Sequence, residues 1–143
     1  MIKGSCLCGG VTFEFERMTG PFELCHCSRC RKVSGSAFMA GVAAPRSAFH
    51  LLTGLELIQI YEAPIVKAPP AYRSCFCARC GSPVPDPSGT SAFIEIAAGL
   101  LDDDPGVRPD KHIFIEKKAP WYTIADSLPQ LDENALHAYR SRM

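Results

Sequence analysis

The stretch CHCSRC, Cys25 to Cys30, puts three thiols into six residues, and CFCARC, Cys75 to Cys80, repeats its C-x-C-x-R-C pattern fifty positions later. A third cluster, Cys6 and Cys8, lies in SCLCGG near the amino end, and no cysteine falls outside these three groups. A disulfide framework would spread its partners along the chain, and a C-x-C pair would close a small, strained ring. C-x-x-C alone suits a redox pair, but such a pair does not require the extra cysteine two residues upstream. Gaps of two and three residues are how a chain brings several thiolates to one ion. Soft thiolates select zinc, copper(I) or iron–sulfur clusters, and the spacings do not match ferredoxin-type runs, which favours zinc.

A structural zinc takes four ligands, so eight thiolates divide as four plus four, or as four plus three with one left over. Two closed sites would make the metals purely structural, each contributing about 10–16 kcal/mol of apparent binding energy to folding. Three protein ligands would instead leave a position for water or a substrate atom. Composition leaves this division open.

The 143 residues suit one domain over residues 1–143, and 47% hydrophobic content suits a globular one. Lys plus Arg and Asp plus Glu balance at 15 each. Nucleic-acid binders usually carry a basic excess, and no basic run extends beyond RCRK, so no nucleic-acid partner is expected. No signal-like apolar run follows MIKGSCLCGG, and nothing approaches a membrane-spanning stretch. A reducing, cytoplasmic setting is therefore expected, which again favours metal ligands over disulfides. The oligomeric state is not legible.

Strand patterns recur: VTFEFE (Val11 to Glu16), LELIQIYE (Leu55 to Glu62), FIEIAAG (Phe93 to Gly99) and HIFIEK (His112 to Lys117). Twelve prolines and eleven glycines leave little room for long helices. Short helices are expected at Ser28 to Val33 and in ENALHAYRSR, where Leu131, Ala135, Leu136 and Tyr139 mark a narrow apolar face. Pro85 to Ser91 and Leu101 to Asp110 read as loops. The three aspartates of the second loop match no EF-hand spacing and are taken as a solvated turn.

Four segments in order, GSCLCGGVTFEF, CHCSRCRKVSGSAF, FCARCGSP and HIFIEKKAPWYTIADSLPQLDE, resemble the glutathione-dependent formaldehyde-activating enzyme family, whose domain is shared with centromere protein V. The resemblance implies a mainly β, Mss4-like fold of several small curved antiparallel sheets around two zinc ions, with few short helices. It implies that Cys6, Cys8, Cys77 and Cys80 hold a structural zinc. It also implies that Cys25, Cys27 and Cys30 hold a second zinc at the catalytic position. Cys75 then remains, as a buried apolar residue or as a fourth ligand closing the second site.

The implied activity is carbon–sulfur lyase chemistry on glutathione or a related small-molecule thiol, of the S-hydroxymethylglutathione synthase type, with glutathione as co-substrate. Arg31 and Lys32 are candidate receivers of the glutathione carboxylates, whereas Arg29 reads as ordinary solvated charge. His26, flanked by two cysteines, is badly placed to ligate and is expected near the metal shell or at the surface. His112 opens a strand within the family's pattern. Trp121 is expected as a core anchor. The alternative to an enzyme is a non-catalytic, zinc-stabilised thiol carrier or protein-interaction module.

Overall fold

The structure, a computed structural model, describes residues 1–17 and 20–143. Alternation in T-F-E-F decides the first sheet. β2 (Thr12–Phe15) turns Phe13 and Phe15 inward, both fully buried, and its glutamates outward. It pairs antiparallel with β1 (Ile2–Ser5) on one side and β5 (Phe49–Thr53) on the other. Gly4 faces Phe13 across the ladder, where a Cβ would run into the phenyl ring.

The larger sheet has five strands in the order β10-β9-β3-β4-β8: Gln130–Leu131, Lys111–Ile113, Phe22–Cys25, Met39–Pro45 and Phe93–Ala97. Phe22, Leu24, Val42, Ala44, Ile94 and Ile96 from this sheet join Ile2, Phe13 and Phe15 from the first in one buried cluster. Burying each such large side chain contributes about 1.5–3 kcal/mol. A hairpin of β6 (Ile58–Glu62) and β7 (Arg73–Cys77) stands apart, over a smaller cluster of Cys6, Val11, Cys75, Cys77 and Val84.

The mainly β expectation is borne out, with three local differences. β9 runs parallel to both β3 and β10, so the five-stranded sheet is mixed. HIFIEK is a strand only to Ile113, because Phe114 takes a left-handed conformation (φ 55°) and Ile115–Lys117 turn as a 3₁₀ segment. Likewise Leu55–Leu57 form a 3₁₀ turn and the strand begins at Ile58. Both expected helices form: α1 (Ser28–Ser34) and α2 (Glu133–Ser141). On α2, Leu136 is buried and the Tyr139 ring lies under Lys111 Nζ at 4.8 Å.

The Leu101 to Asp110 loop is pinned by its aspartates. Asp102 accepts from Ser5 Oγ and Asp103 from the Lys3 N–H, each at 2.8 Å, while Asp104 pairs with Arg108. Among the described residues no helix is long and apolar enough to cross a membrane.

Candidate metal centres

The first centre is built from two tight turns. After Cys6, the chain reverses through Gly9 (φ +76°), so that the Cys6 N–H donates to the Val11 carbonyl at 3.0 Å. After Cys77, it reverses through Gly81 (φ +78°), whose N–H donates to the Cys77 carbonyl at 2.7 Å. Left-handed backbone favours glycine at both positions. These turns bring the sulfurs of Cys6, Cys8, Cys77 and Cys80 within 4.8 Å of one another. Cys6 and Cys8 Sγ lie 3.6 Å apart and Cys8 and Cys77 Sγ 3.8 Å apart. Four sulfurs about 2.3 Å from one tetrahedral ion would stand about 3.8 Å apart, so the donor set fits zinc.

Backbone N–H groups reach two of these sulfurs. The Val11 N–H donates to Cys6 Sγ at 3.3 Å and the Gly10 N–H to Cys8 Sγ at 3.4 Å. Ser82 Oγ lies 3.4 Å from Cys80 Sγ and, with backbone N–H groups, pulls that thiol down to about 5.

The second centre sits at the corner between β3 and α1. Cys25 ends the strand, and Cys27 caps the helix, its sulfur accepting from the Cys30 N–H at 3.4 Å. The sulfurs of Cys25, Cys27 and Cys30 lie within 4.8 Å of one another, all half-buried. Hydrogen bonds from the Cys25 and Cys30 thiols, then from backbone N–H groups, hold Cys27 far below the usual thiol range. Cys25 is pushed up to about 12 by donating to Cys27. The three thiols titrate as one coupled group, and a cation would favour losing their protons.

Cys75 belongs to neither group. It is buried and pushed up to about 11, chiefly by burial and then by Asp86. A cleft of about 210 Å³ separates it from the second centre, lined by Cys30, Met39, Arg46, Tyr72, Cys75 and Glu95 among others. Arg46 is locked to backbone carbonyls of Ser91 (2.8 Å) and Asp86 (3.0 Å), and Arg73 pairs with the Asp86 carboxylate at 2.9 Å. Burial and the nearby Cys30 push the Tyr72 phenol up to about 12.

The expected anion-binding residues fall on α1. Arg31 and Lys32 lie in its last turn, outside the lining of that cleft. Lys32 is exposed, and Arg31 Nε is buried without a hydrogen-bond partner among the described residues. Arg29 is not merely solvated, since its guanidinium lies over the Tyr72 ring at 4.6 Å. His26 is fully buried rather than at the surface, and its Nε2 lies 2.8 Å from His112 Nδ1. Burial, then His112, pushes His26 down to about 4, so the ring is neutral.

Trp121 is not the expected core anchor, being 70% exposed. Ala119 and Tyr122 take the inward positions of that turn, with Tyr122 facing His26 at 6.1 Å between centroids. Sequence reasoning also missed Asp126, whose carboxylate holds His112, and Tyr72 in the cleft. Asp126 stands in the quoted segment HIFIEKKAPWYTIADSLPQLDE with no role assigned to it, Tyr72 lies outside every quoted segment, and the tertiary pairing identifies both.

Comparisons with known proteins bear on the family and the fold. A family model described as "Glutathione-dependent formaldehyde-activating enzyme" matches residues 1–117. A Halomonas elongata protein named "Putative glutathione-dependent formaldehyde-activating enzyme" is 31% identical over 127 residues, 87% of this chain and 81% of its own length. A crystal structure of a Rhodobacter sphaeroides protein shares the fold, with a TM-score of 0.53, 24% identity, and coverage of 75% of this chain and 91% of its own. With most of its length and all its cysteine clusters inside the matched region, the chain belongs to the glutathione-dependent formaldehyde-activating enzyme family.

Proposed function

We propose that this protein is a zinc-dependent enzyme of the carbon–sulfur lyase class, which joins glutathione or a related thiol to a small carbonyl compound such as formaldehyde. One observation carries the reading: three cysteine sulfurs converge beside an open cleft, and the remaining free thiol, Cys75, lies outside their reach. In this reading Cys6, Cys8, Cys77 and Cys80 hold a structural zinc. Cys25, Cys27 and Cys30 hold a second zinc with one position left for substrate. A thiol meeting zinc at that position is held as its thiolate at neutral pH, where a free thiol with a pKa of about 8.5 is mostly protonated.

The chain's own residues bind and orient. The cleft beside Cys30 receives the body of the thiol compound, with Tyr72 and Arg29 at its wall. Arg31 and Lys32, which have no carboxylate partner among the described residues, are proposed to draw the glutathione carboxylates to the α1 rim. The thiolate sulfur would add to the carbonyl carbon as the C=O π bond opens, and the resulting alkoxide would take up the proton that the thiol released on binding. The contribution asked of the protein is positioning two reactants in contact.

A thiol carrier is the second reading. Three thiolates already make an electron-rich centre, which favours holding a thiol over driving its chemistry. The test is exchange spectroscopy on glutathione and ¹³C-formaldehyde, which combine slowly unaided. The zinc-loaded protein should accelerate S-hydroxymethylglutathione formation, and Cys27→Ser should not. Tight thiol binding with an unaltered rate would support the carrier instead.

A further inference from the structure

One side-chain cluster is not used by the thiol chemistry: buried His26 and His112, with Asp126 at the surface end of the hydrogen-bonded chain. Both imidazoles are fully buried, though they lie 86 residues apart in sequence. His26 Nε2 sits 2.8 Å from His112 Nδ1, and His112 Nε2 sits 3.0 and 3.2 Å from the two Asp126 carboxylate oxygens. The Leu128 N–H donates to Asp126 Oδ1 at 2.9 Å. His26 Nδ1 is buried with no hydrogen-bond partner among the described residues.

The ends of this chain dictate where its protons stand. An ionised carboxylate only accepts, so His112 must carry its hydrogen on Nε2. With one hydrogen on each ring, His112 Nδ1 is a lone pair, so His26 donates from Nε2 and leaves Nδ1 bare. His26 lies between Cys25 and Cys27, and its own N–H donates to the Ile113 carbonyl at 3.0 Å. Its ring and its backbone are therefore both tied to the strand that carries His112.

We propose that Asp126 and His112 are positioning residues for the second cysteine centre, locking His26 as its Nε2–H tautomer and thereby fixing the Cys25–Cys27 peptide that spaces two of the three sulfurs. The inference rests on the proposed reading that this trio holds a metal. Asp126 lies beyond residues 1–117 matched by the family model, so the centre depends on a segment outside that match. Polar groups behind a metal site typically change its affinity 10–100-fold, and here they would act through the backbone of the ligands.

Asp126→Asn gives the sharpest test on the zinc-loaded protein. The Leu128 N–H retains the amide oxygen, so the amide nitrogen takes the Oδ2 place and donates to His112 Nε2. An amide donor at the nearer contact, 3.0 Å against 3.2 Å, favours inversion of both rings, which places the His26 hydrogen on buried Nδ1. Asp126→Ala leaves room for water as acceptor, and both tautomers stay. Imidazole ¹⁵N spectra should show Nε2–H on both rings in wild type and in Asp126→Ala, and Nδ1–H in Asp126→Asn. Zinc affinity at the trio, read by chelator competition, should fall about 10–100-fold in Asp126→Asn and less in Asp126→Ala, with the four-cysteine centre unchanged. A His26 Nδ1–H or cationic ring in wild type overturns the proposal, as does an unchanged trio affinity in Asp126→Asn or an equal loss at both centres. A wild-type trio that takes no zinc at all overturns this inference and the proposed function together, whereas the other adverse outcomes leave that function standing.

Discussion

Replacing Cys77 by Ser should separate the two halves of this fold. Cys77 is fully buried, ends β7, and supplies one of the four sulfurs of the first centre. The cluster around it contains only Cys6, Val11, Cys75, Cys77 and Val84 as buried members. Its two valines supply about 1.5–3 kcal/mol each by burial. Ordering each residue of the hairpin and its turns costs about 1–2 kcal/mol of backbone entropy. On the proposed reading the balance comes from a structural zinc, at about 10–16 kcal/mol. Serine lacks the soft thiolate, so Cys77→Ser should lose that zinc and with it the hairpin. The core of Phe13, Phe15, Val42, Ile94 and Ile96 has no such dependence. Native-state hydrogen exchange reads both regions at once. Amides of Ile58–Glu62 and Arg73–Cys77 should lose at least 100-fold in protection, while those of β3 and β4 keep most of theirs. Full protection of the hairpin in a Cys77→Ser protein that has lost one zinc would refute the reasoning.

Other expectations follow from single residues. Gly54 has φ +91°, and a Cβ there would run into the Gly10 carbonyl and stand 2.7 Å from Val11 Cα, so Gly54→Ala should cost at least about 2 kcal/mol in denaturant unfolding. Cys75→Ala should leave two zinc ions per chain by metal analysis, with a stability loss of about 1 kcal/mol, because its thiol lies outside both sulfur groups. A fall to one zinc would show that Cys75 closes the second centre. Burial alone would lower the Lys111 ammonium, but Asp110 at 2.7 Å and Glu23 at 3.3 Å overcome it and hold it above the ordinary lysine value. Its contribution is therefore complete below about pH 10.5 and is lost as pH rises through the higher folded value. Lys111→Met should cost about 2 kcal/mol at pH 7, less than a fully buried pair, because Arg140 still reaches Glu23 and the Phe22 N–H still reaches Asp110. The mutant should gain on wild type above pH 10.5 in the same unfolding assay.

Much of this was legible in the chain itself. Cysteine spacing announced the two sulfur groups, since ligands two and three residues apart need only a turn to converge. The partition of CFCARC between centre and core was not readable from spacing, and rested on the family resemblance. Cys75 and Cys77 both lie on β7 and both point into the small cluster, yet only the second reaches the first centre. Alternation found β2 and β8 but missed β4, whose M-A-G-V-A-A-P is nearly uniform in small apolar residues and so carries no period-two signal. Trp121 misled because size favours burial, while the turn after Pro120 directs Tyr122 inward instead. The His26–His112–Asp126 chain could not be seen at all, because nothing in a sequence reports a contact across 86 residues.

The central claim is that Cys25, Cys27 and Cys30 present a metal with one position open to an outside thiol. Calorimetric titration of glutathione into protein carrying two zinc ions tests it directly. The account predicts one saturable site per chain that disappears in Cys27→Ser while the four-cysteine zinc stays in place. No saturable binding with both zincs present, or undiminished binding in Cys27→Ser, would contradict it.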